Sequence, residues 1–328
     1  MRVLITGGAG YIGSHTCKAL AQAGHTPVVY DNLSTGYRSL VRWGDFVHGD
    51  IRNTTLLAST MRQHSIEGVI HFAALSCVGE SVTDPGLYYH NNVVGTHSIL
   101  EAMGLAGVKH IVVSSTCAVY GLPPTIPMDE TTPQNPINPY GATKSMMERM
   151  LADYHAPYGL HSAALRYFNA AGCDAEGETG EWHVPETHLI PRVLMAAFGD
   201  IPALHIFGND YPTPDGTCIR DYIHVADLAS AHVLALEHLL ENGGVLRLNL
   251  GTGSGFSVQE IIQAAEHVLG KPVPHTMGPR RPGDPPALVA QAGLAKETLG
   301  WVPRTSQLDH ILHTAAQWYA ATRQKNTV

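Results

Sequence analysis

The most constraining feature of the chain is an apolar strand that runs directly into a glycine-spaced turn. Arg2 to Thr6 reads as that strand, and Gly7-Gly8-Ala9-Gly10-Tyr11-Ile12-Gly13 follows it and opens a helix. Gly7 permits a tight turn, Gly10 lets backbone approach a pyrophosphate, and Gly13 allows close packing of helix on strand. The N-terminus of such a helix offers free amides and a favourable dipole to phosphate. Ile12, Thr16, Ala19, Leu20 and Ala23 recur at helical spacing, Gly24 stops the helix, and a second strand from Pro27 to Tyr30 completes a βαβ unit. Glycines so spaced can also serve turn geometry alone. Asp31, at the end of the second strand, adds a carboxylate that can accept from the hydroxyls of an adenosine ribose and would repel an added 2′-phosphate. Asp31-Asn32 would also suit a simple turn. Within the complete unit, these residues point to NAD rather than NADP.

Gly68 to Phe72, His110 to Ser114 and His161 to Tyr167 read as further strands alternating with helical segments. The expected fold class is therefore α/β: a Rossmann-type doubly wound parallel sheet with a smaller, interleaved C-terminal substrate-binding lobe. Residues 1–170 form the NAD-binding domain in this reading, and residues 171–328 form mainly the lobe. Beyond Asn169, Gly172, Gly177, Gly180 and Pro185 break the alternation, and Pro202, Pro212 and Pro214 keep later segments short. An apolar run from Val245 to Leu250 and a helical stretch from Val258 to Leu269 imply that part of the lobe's sequence returns to the main sheet.

A formal net charge of −8, with Lys and Arg scattered, argues against a nucleic-acid partner and requires any phosphate to be held by a local site. No stretch reaches the roughly 18 consecutive apolar residues of a membrane span. No basic segment with an apolar run precedes the first strand, so secretion is not expected. The five cysteines are odd in number and widely spaced, which suits reduced thiols in a cytoplasm. Many histidines are present, but none stands at a metal-binding spacing with supporting ligands, so no metal is expected.

Tyr140 and Lys144 are four residues apart on a helix introduced by Pro136 and Pro139, so their side chains share a face. A lysine ammonium and a positive nicotinamide beside a tyrosine favour the phenolate, which can take a proton from a sugar hydroxyl as hydride leaves the same carbon. Taken alone, this spacing more often marks a surface pair. The run Ser114-Ser115-Thr116-Cys117-Ala118-Val119-Tyr120-Gly121 ends a strand, where open α/β sheets place their ligand crevice. Thr116 can share the substrate's hydroxyl proton with Tyr140, or merely satisfy a loop backbone.

These motifs, with Tyr140-Gly141-Ala142-Thr143-Lys144, Arg166-Tyr167-Phe168-Asn169, Ile206-Phe207-Gly208-Asn209-Asp210-Tyr211, Arg220-Asp221-Tyr222-Ile223-His224-Val225 and Arg280-Arg281-Pro282-Gly283-Asp284, occur in one order along nearly the whole chain. In this the chain resembles the extended short-chain dehydrogenase/reductase family, and within it the nucleotide-sugar 4-epimerases. The resemblance implies that Tyr140 is the base, Thr116 its hydroxyl partner, and Lys144 the residue that holds the nicotinamide ribose and tunes Tyr140. Hydride would pass from carbon 4 of a UDP-hexose to NAD and return on the other face. It also places Tyr11, Ile12, Asp31, Asn32, Asp50, Ile51, Phe72, Ala73, Ala74, Asn92 and Phe168 around NAD. Ser76 stands where some members carry lysine, which implies weaker cofactor retention. For the UDP-sugar the resemblance implies Asn169, Leu189, His205, Ile206, Phe207, Arg220, Arg281 and Asp284, with His188 in place of a family asparagine. Arg220 and Arg281 can grip a diphosphate bidentately, and Asp284 can accept from a ribose hydroxyl. Leu288 matches a position lining the sugar pocket, and its bulk implies a preference for UDP-glucose and UDP-galactose with some tolerance of N-acetylhexosamines.

A 4,6-dehydratase would carry an acidic pair after the Thr, where this chain has Cys117-Ala118. An NAD-binding protein without catalysis would be expected to lose Tyr140, Lys144 or Thr116, and all three are present. A UDP-pentose or UDP-uronic acid 4-epimerase uses the same chemistry and stays open. By analogy a homodimer is expected, with Leu87 to Ala106 and Tyr140 to Ala156 as candidate interface helices. Leu100, Met103, Met147 and Met150 there suit either an interface or the core.

Overall fold

A computed structural model describes residues 1–281 and 284–323. Pro282 and Gly283 of the Arg280–Asp284 motif, and the last residues of the expected lobe, lie outside the described residues.

In chain order, β1 (Arg2–Thr6), α1 (Tyr11–Gln22), β2 (Thr26–Asp31), β3 (Asp45–His48), α2 (Thr54–Gln63) and β4 (Gly68–His71) form the first half of the main sheet and its covering helices. There follow α3 (Val78–Thr83), α4 (Pro85–Tyr88), a π-helical turn (Tyr89–Val94), α5 (Gly95–Ala106), β5 (His110–Thr116), α6 (Pro139–Tyr158) and β6 (His161–Tyr167). The remainder is β7 (Asn169–Ala171), α7 (Leu189–Phe198), β8 (Leu204–Phe207), β9 (Ile219–Arg220), β10 (Tyr222–His224), α8 (Val225–Asn242) and β11 (Val245–Leu250). Last come β12 (Phe256–Ser257), α9 (Val258–Leu269), β13 (His275–Gly278), β14 (Ala287–Leu288), α10 (Gly293–Leu299) and α11 (Leu308–Thr322).

The main sheet has seven strands in the order β11-β6-β5-β4-β1-β2-β3, and every pairing is parallel. Its central strands are buried on both faces, which is why β1, β4 and β5 read as continuous apolar runs rather than alternating ones. One face packs Val3, Ile5 and Ile70 against Leu20 of α1 and Leu228 and Leu236 of α8. The other packs Leu4, Val69 and Val113 against Leu57 of α2, Ile99 of α5 and Leu151 of α6. The chain moves outward from β1 through β2 to β3, then crosses back to place β4 on the other side of β1. That reversal opens a crevice at the carboxyl ends of β1 and β4.

β11 lies against β6 in the main sheet, so a late segment of the chain does return to it. A separate core, in which Ile190, Val193 and Leu194 of α7 meet Ile261 and Ile262 of α9 and Ile311 and Leu312 of α11, holds the second lobe. Three minor sheets, β10-β7, β12-β9-β14 and β13-β8, lie outside the seven-stranded one.

The strand expected over His110–Ser114 extends to Thr116, which makes Thr116 the last residue of β5. The edge strand β3 carries no sequence signal, because Asp45 and His48 at its ends are exposed and only two residues between them are half-buried. Leu100, Met103 and Met147 are core residues, at 3%, 1% and 1% exposure, and not surface residues of an interface.

Candidate active site

The β1–α1 turn is built around close backbone approach. Gly7 sits at φ +76°, and a Cβ there would lie 2.6 Å from the Ala73 nitrogen in the turn after β4. A Cβ on Gly13 would lie 2.2 Å from the Gly7 carbonyl oxygen. These two positions admit only glycine. α1 begins from Gly10 with no side-chain cap, so its first amides are left to an outside acceptor such as a phosphate. Asp31 lies beneath the turn, its two oxygens accepting from the Ala9 amide at 3.0 Å and the Leu33 amide at 2.8 Å. Burial raises its pKa, and the amides of Leu33 and Ala9 partly offset that rise. A turn closed to side chains, an uncapped helix N-terminus and a carboxylate at the tip of the next strand together fit a dinucleotide.

Asn32 donates to Asp50 Oδ2 at 3.2 Å, so these two expected cofactor residues stand side by side. Arg52 draws the Asp50 pKa far down, although burial opposes it. Phe72, Ala73 and Ala74 follow β4 at the crevice and are half-buried. Ser76 is exposed. Asn92 is spent inside the protein: Oδ1 accepts from the Leu75 amide at 2.9 Å, and Nδ2 donates to the Leu75 carbonyl at 3.0 Å and Thr143 Oγ1 at 3.1 Å. It fixes the 73–76 turn against α6. The Tyr11 hydroxyl is likewise spent on the Gly172 carbonyl, and the buried Ile51 side chain packs on Gly95. Ile12 is half-buried against the core of the main sheet.

Thr116 ends β5, and α6 brings Tyr140 and Lys144 toward it. Asn138 caps α6 by accepting from the Gly141 amide at 2.8 Å, and Pro139 supplies the fixed φ suited to a first helical position. The Lys144 ammonium reaches β5, donating to the Ser114 carbonyl at 2.8 Å and the Ser114 hydroxyl at 3.1 Å. It lies 6.0 Å from the centre of the Tyr140 ring. Burial lowers the Lys144 pKa to about 7, against the pull of Glu148. Burial raises Tyr140 to about 12, against the downward effect of a hydrogen bond with Thr116. In the protein alone, then, burial works against the charged form of both side chains.

Below this pair lies a buried polar network. Arg166 of β6 donates from Nε to Glu148 Oε1 at 2.9 Å and from Nη2 to Oε2 at 2.6 Å. Ser115 and Gln134 donate to the same carboxylate at 2.6 and 2.7 Å. Arg166 also donates to the Tyr120 hydroxyl, which donates in turn to Asn249 of β11. The motif around Arg166 was visible in the sequence; its partner Glu148, one helical turn past Lys144, was not.

On the substrate side, β14 runs parallel to β9 and sets Leu288 opposite Arg220. Leu288 and Phe168 also pack against the small core of Cys117, Val119, Tyr120 and Met128, so these expected residues gather just past Thr116. Arg220 pairs with Asp284 at 3.2 Å. Asn169, at the start of β7, donates its amide to the Asp221 carbonyl. The Arg281 guanidinium lies 4.0 Å from the Phe207 ring centre, and His205 meets that ring edge-on at 4.8 Å. Along β8, His205 and Phe207 face outward while the Ile206 side chain is buried in the second lobe's core. Ile206 can therefore offer a ligand only its backbone. Leu189 is half-buried at the start of α7.

The fold gathers histidines and carboxylates that the sequence spacing does not bring together. Glu181, His183, Glu186 and His188 bring one ligand atom each within 4.8 Å of one another. Spacings of two, three and two residues on an irregular segment carry no helical or paired signature, which is why the sequence did not show the cluster.

The family model for the NAD-dependent epimerase/dehydratase family matches residues 3–251. A UDP-glucose 4-epimerase of Rhizobium leguminosarum bv. trifolii is 52% identical over 98% of both chains. A crystal structure of UDP-glucose 4-epimerase from Brucella ovis in complex with NAD is 58% identical, with a TM-score of 0.95 over 96% of this chain and 97% of that one. A UDP-glucose-4-epimerase structure from Stenotrophomonas maltophila, with bound NAD and formylated UDP-arabinopyranose, is 44% identical, with a TM-score of 0.96 over 99% of both.

Proposed function

Because the chain belongs to the NAD-dependent epimerase/dehydratase family, we propose that it interconverts UDP-galactose and UDP-glucose by inverting carbon 4, as part of galactose metabolism. The observation that carries the reading is the meeting of Thr116, Tyr140 and Lys144 at the carboxyl edge of the sheet, beside the Arg220–Leu288 pairing.

NAD, when bound, supplies the acceptor and later the donor of hydride, together with a positive charge that favours the tyrosinate. The chain's own share is proton handling. Tyr140 takes the proton of the carbon-4 hydroxyl as that carbon becomes a ketone, and returns it when the carbon is reduced on its other face. Thr116 holds the same hydroxyl, and a protonated Lys144 lowers the cost of the phenolate. Gly7, Gly10, Gly13, Asp31 and Asn32 hold the dinucleotide, with Asp50, Ile51, Phe72, Ala73, Ala74 and the backbone of Tyr11 and Ile12 around it. Arg220 and Arg281 clasp the UDP diphosphate. Their pairing with Asp284 and Phe207 in the protein alone supports this, since it holds both guanidiniums in place, Arg220 largely buried and Arg281 exposed. Asn169, His188, Leu189, His205 and Phe207 complete the nucleotide's surroundings.

Residues 1–170 are assigned to the cofactor and 171–328 mainly to the substrate. A homodimer is part of the same reading, supported by Leu87, Tyr89, Val94 and Met146, which are 40%, 36%, 44% and 45% exposed on the two candidate stretches. A cytoplasmic location accords with free cysteines and with no helix of the described residues being long and apolar enough to cross a membrane.

The test is to incubate the purified protein with UDP-galactose, without added NAD, and follow anomeric protons by NMR. UDP-glucose without net NADH supports the reading. No turnover of either UDP-hexose, even with NAD supplied, rejects it. Equal rates on plain and N-acetylated sugars would reject the preference assigned to Leu288.

A further inference from the structure

The segment between β7 and α7 is fastened along α1 by pairings that explain most of its charges. Lys18 of α1 sits among Asp174, Glu176 and Glu178, at 2.8, 2.6 and 2.7 Å, so these three carboxylates have their cation. Ser14 of α1 also bonds to Thr179 at 2.6 Å. Further along, Glu181 and Glu186 are paired with imidazoles instead. His183 Nδ1 lies 3.4 Å from Glu181 Oε1 and 3.6 Å from Glu186 Oε2, and His188 Nδ1 contacts the same Glu181 oxygen. The two carboxylate side chains are 4% and 11% exposed, which makes them costly to keep unneutralised.

We propose that Glu181, His183, Glu186 and His188 form a binding site for a divalent transition metal of the zinc class. Two imidazole nitrogens and two carboxylate oxygens are the ligand types and the ligand number that zinc takes in a closed structural site. The donor atoms already lie close enough that small side-chain rotations bring each to the roughly 2.0–2.2 Å such an ion requires. Once a metal displaces the protons that Glu181 and Glu186 favour on the two imidazoles, two carboxylates and two neutral rings sum to the charge that a divalent cation cancels.

The outer contacts suit ligands held in place. Trp318 of α11 donates from Nε1 to the Glu181 carbonyl at 2.9 Å, and the Glu181 amide donates to Cys173 Sγ at 3.4 Å. Glu186 Oε1 accepts from the Thr187 and His188 amides at 2.7 and 2.8 Å, leaving Oε2 for the ion. Tyr11, whose backbone belongs to the glycine-rich turn, meets the His183 ring edge-on at 6.2 Å. His188 occupies the position before the first residue of α7, Leu189, without a capping side-chain hydrogen bond. A bound ion would therefore tie the cofactor turn, α11 and the start of α7 together, as a structural clamp and not as a reactant.

The test is metal binding by the full-length protein. After chelation and desalting, the protein is titrated with zinc in a calorimeter and, separately, with cobalt(II), while the visible absorption of tetrahedral cobalt is recorded. The expected result is about one ion per chain and a cobalt spectrum that zinc abolishes. H183K keeps a cation for Glu181 and Glu186 but removes a neutral nitrogen ligand, so it separates an ion-pair cluster from a metal site. With its circular dichroism unchanged, H183K should bind zinc at least about tenfold more weakly and lose the cobalt bands. E186Q provides a second variant should H183K fail to fold, with the same loss expected. Absence of binding by the wild-type protein, or binding that H183K and E186Q leave intact, overturns the proposal and leaves the cluster as an ion-paired brace.

Discussion

Replacing Glu148 by Gln tests how α6, which carries Tyr140 and Lys144, is held. Both oxygens of Glu148 face only donors: Arg166 Nε and Ser115 on one side, Arg166 Nη2 and Gln134 on the other. Glutamine keeps the shape but must turn an NH₂ group toward one of these pairs. Ser115 can rotate and accept; neither arginine nitrogen can. The substitution thus leaves Arg166, at 2% exposure, charged and facing a donor where it had a carboxylate. Breaking one side of a buried ion pair costs about 3–5 kcal/mol, which is about a hundred- to four-thousand-fold in the folding equilibrium. A urea titration should show the midpoint falling by about 1 M or more with the slope unchanged. NAD must be held at one concentration, since a ligand that binds only the folded state adds to its stability. E148Q/R166Q should cost less than the two single substitutions summed, because the second removes the charge the first exposed. Turnover should fall as well, since Glu148 raises the pKa of Lys144 and its network anchors Ser115 beside Thr116. A loss under about 1 kcal/mol for E148Q, or strict additivity in the double variant, would refute the assignment of this pair as a buried, coupled unit.

Tyr140→Phe should lower kcat by about a hundred- to ten-thousand-fold while NAD and UDP remain bound, as measured by turnover and by calorimetry. Full turnover would remove Tyr140 as the base. Gly13→Ala should weaken NAD binding, because its Cβ would lie 2.2 Å from the Gly7 carbonyl oxygen; fluorescence titration with NADH reads the change, and unaltered affinity would refute the close-approach argument. Stability should fall steeply below neutral pH. Burial lowers His71 to about 3, and His15, His224 and His232 to about 4. Their unfolded forms take up protons below about 6.5 and their folded forms do not, so the stability present above that pH is lost as it falls toward the folded values. Each contributes at most about 1.4 kcal/mol per pH unit. His71→Gln should flatten a plot of unfolding free energy against pH between 6.5 and 4 by up to one proton's worth; an unchanged slope would mean that His71 is already charged in the folded protein.

What the sequence disclosed about this molecule follows from how far apart the interacting residues stand. The glycine turn, Asp31 and the Tyr140–Lys144 pair are local: each is written in a few consecutive residues whose spacing is dictated by one turn or one helix, so they could be read directly. The extension of β5 to Thr116 adds to that reading, because it places the hydroxyl at the strand's last residue, where the crevice opens. Features made by long-range pairing left no such trace. Glu148 looks like an ordinary helical carboxylate until β6 brings Arg166 against it, and Leu100, Met103 and Met147 have the same apolar character whether they face a partner subunit or the core. The β9–β14 pairing, which sets Leu288 opposite Arg220, joins two segments of two residues each, too short for any periodicity to register.

The segment from Glu181 to His188 failed for the opposite reason: its residues are close in sequence, but an irregular backbone gathers them and no repeat announces it. His188 shows why the distinction matters. Read against relatives it is an asparagine replaced by another polar group, an isolated change in a nucleotide contact. In the folded chain its Nδ1 turns away to Glu181 and shares that oxygen with His183, so the substitution belongs to a four-residue group whose other members the sequence comparison never linked to it. One nitrogen of His188 is thereby committed to the cluster, and only Nε2 is left for the nucleotide contact proposed above. A His188→Asn substitution should therefore alter two properties that the sequence reading would have kept separate: UDP-sugar affinity, and the hold of the segment on α1 and α11.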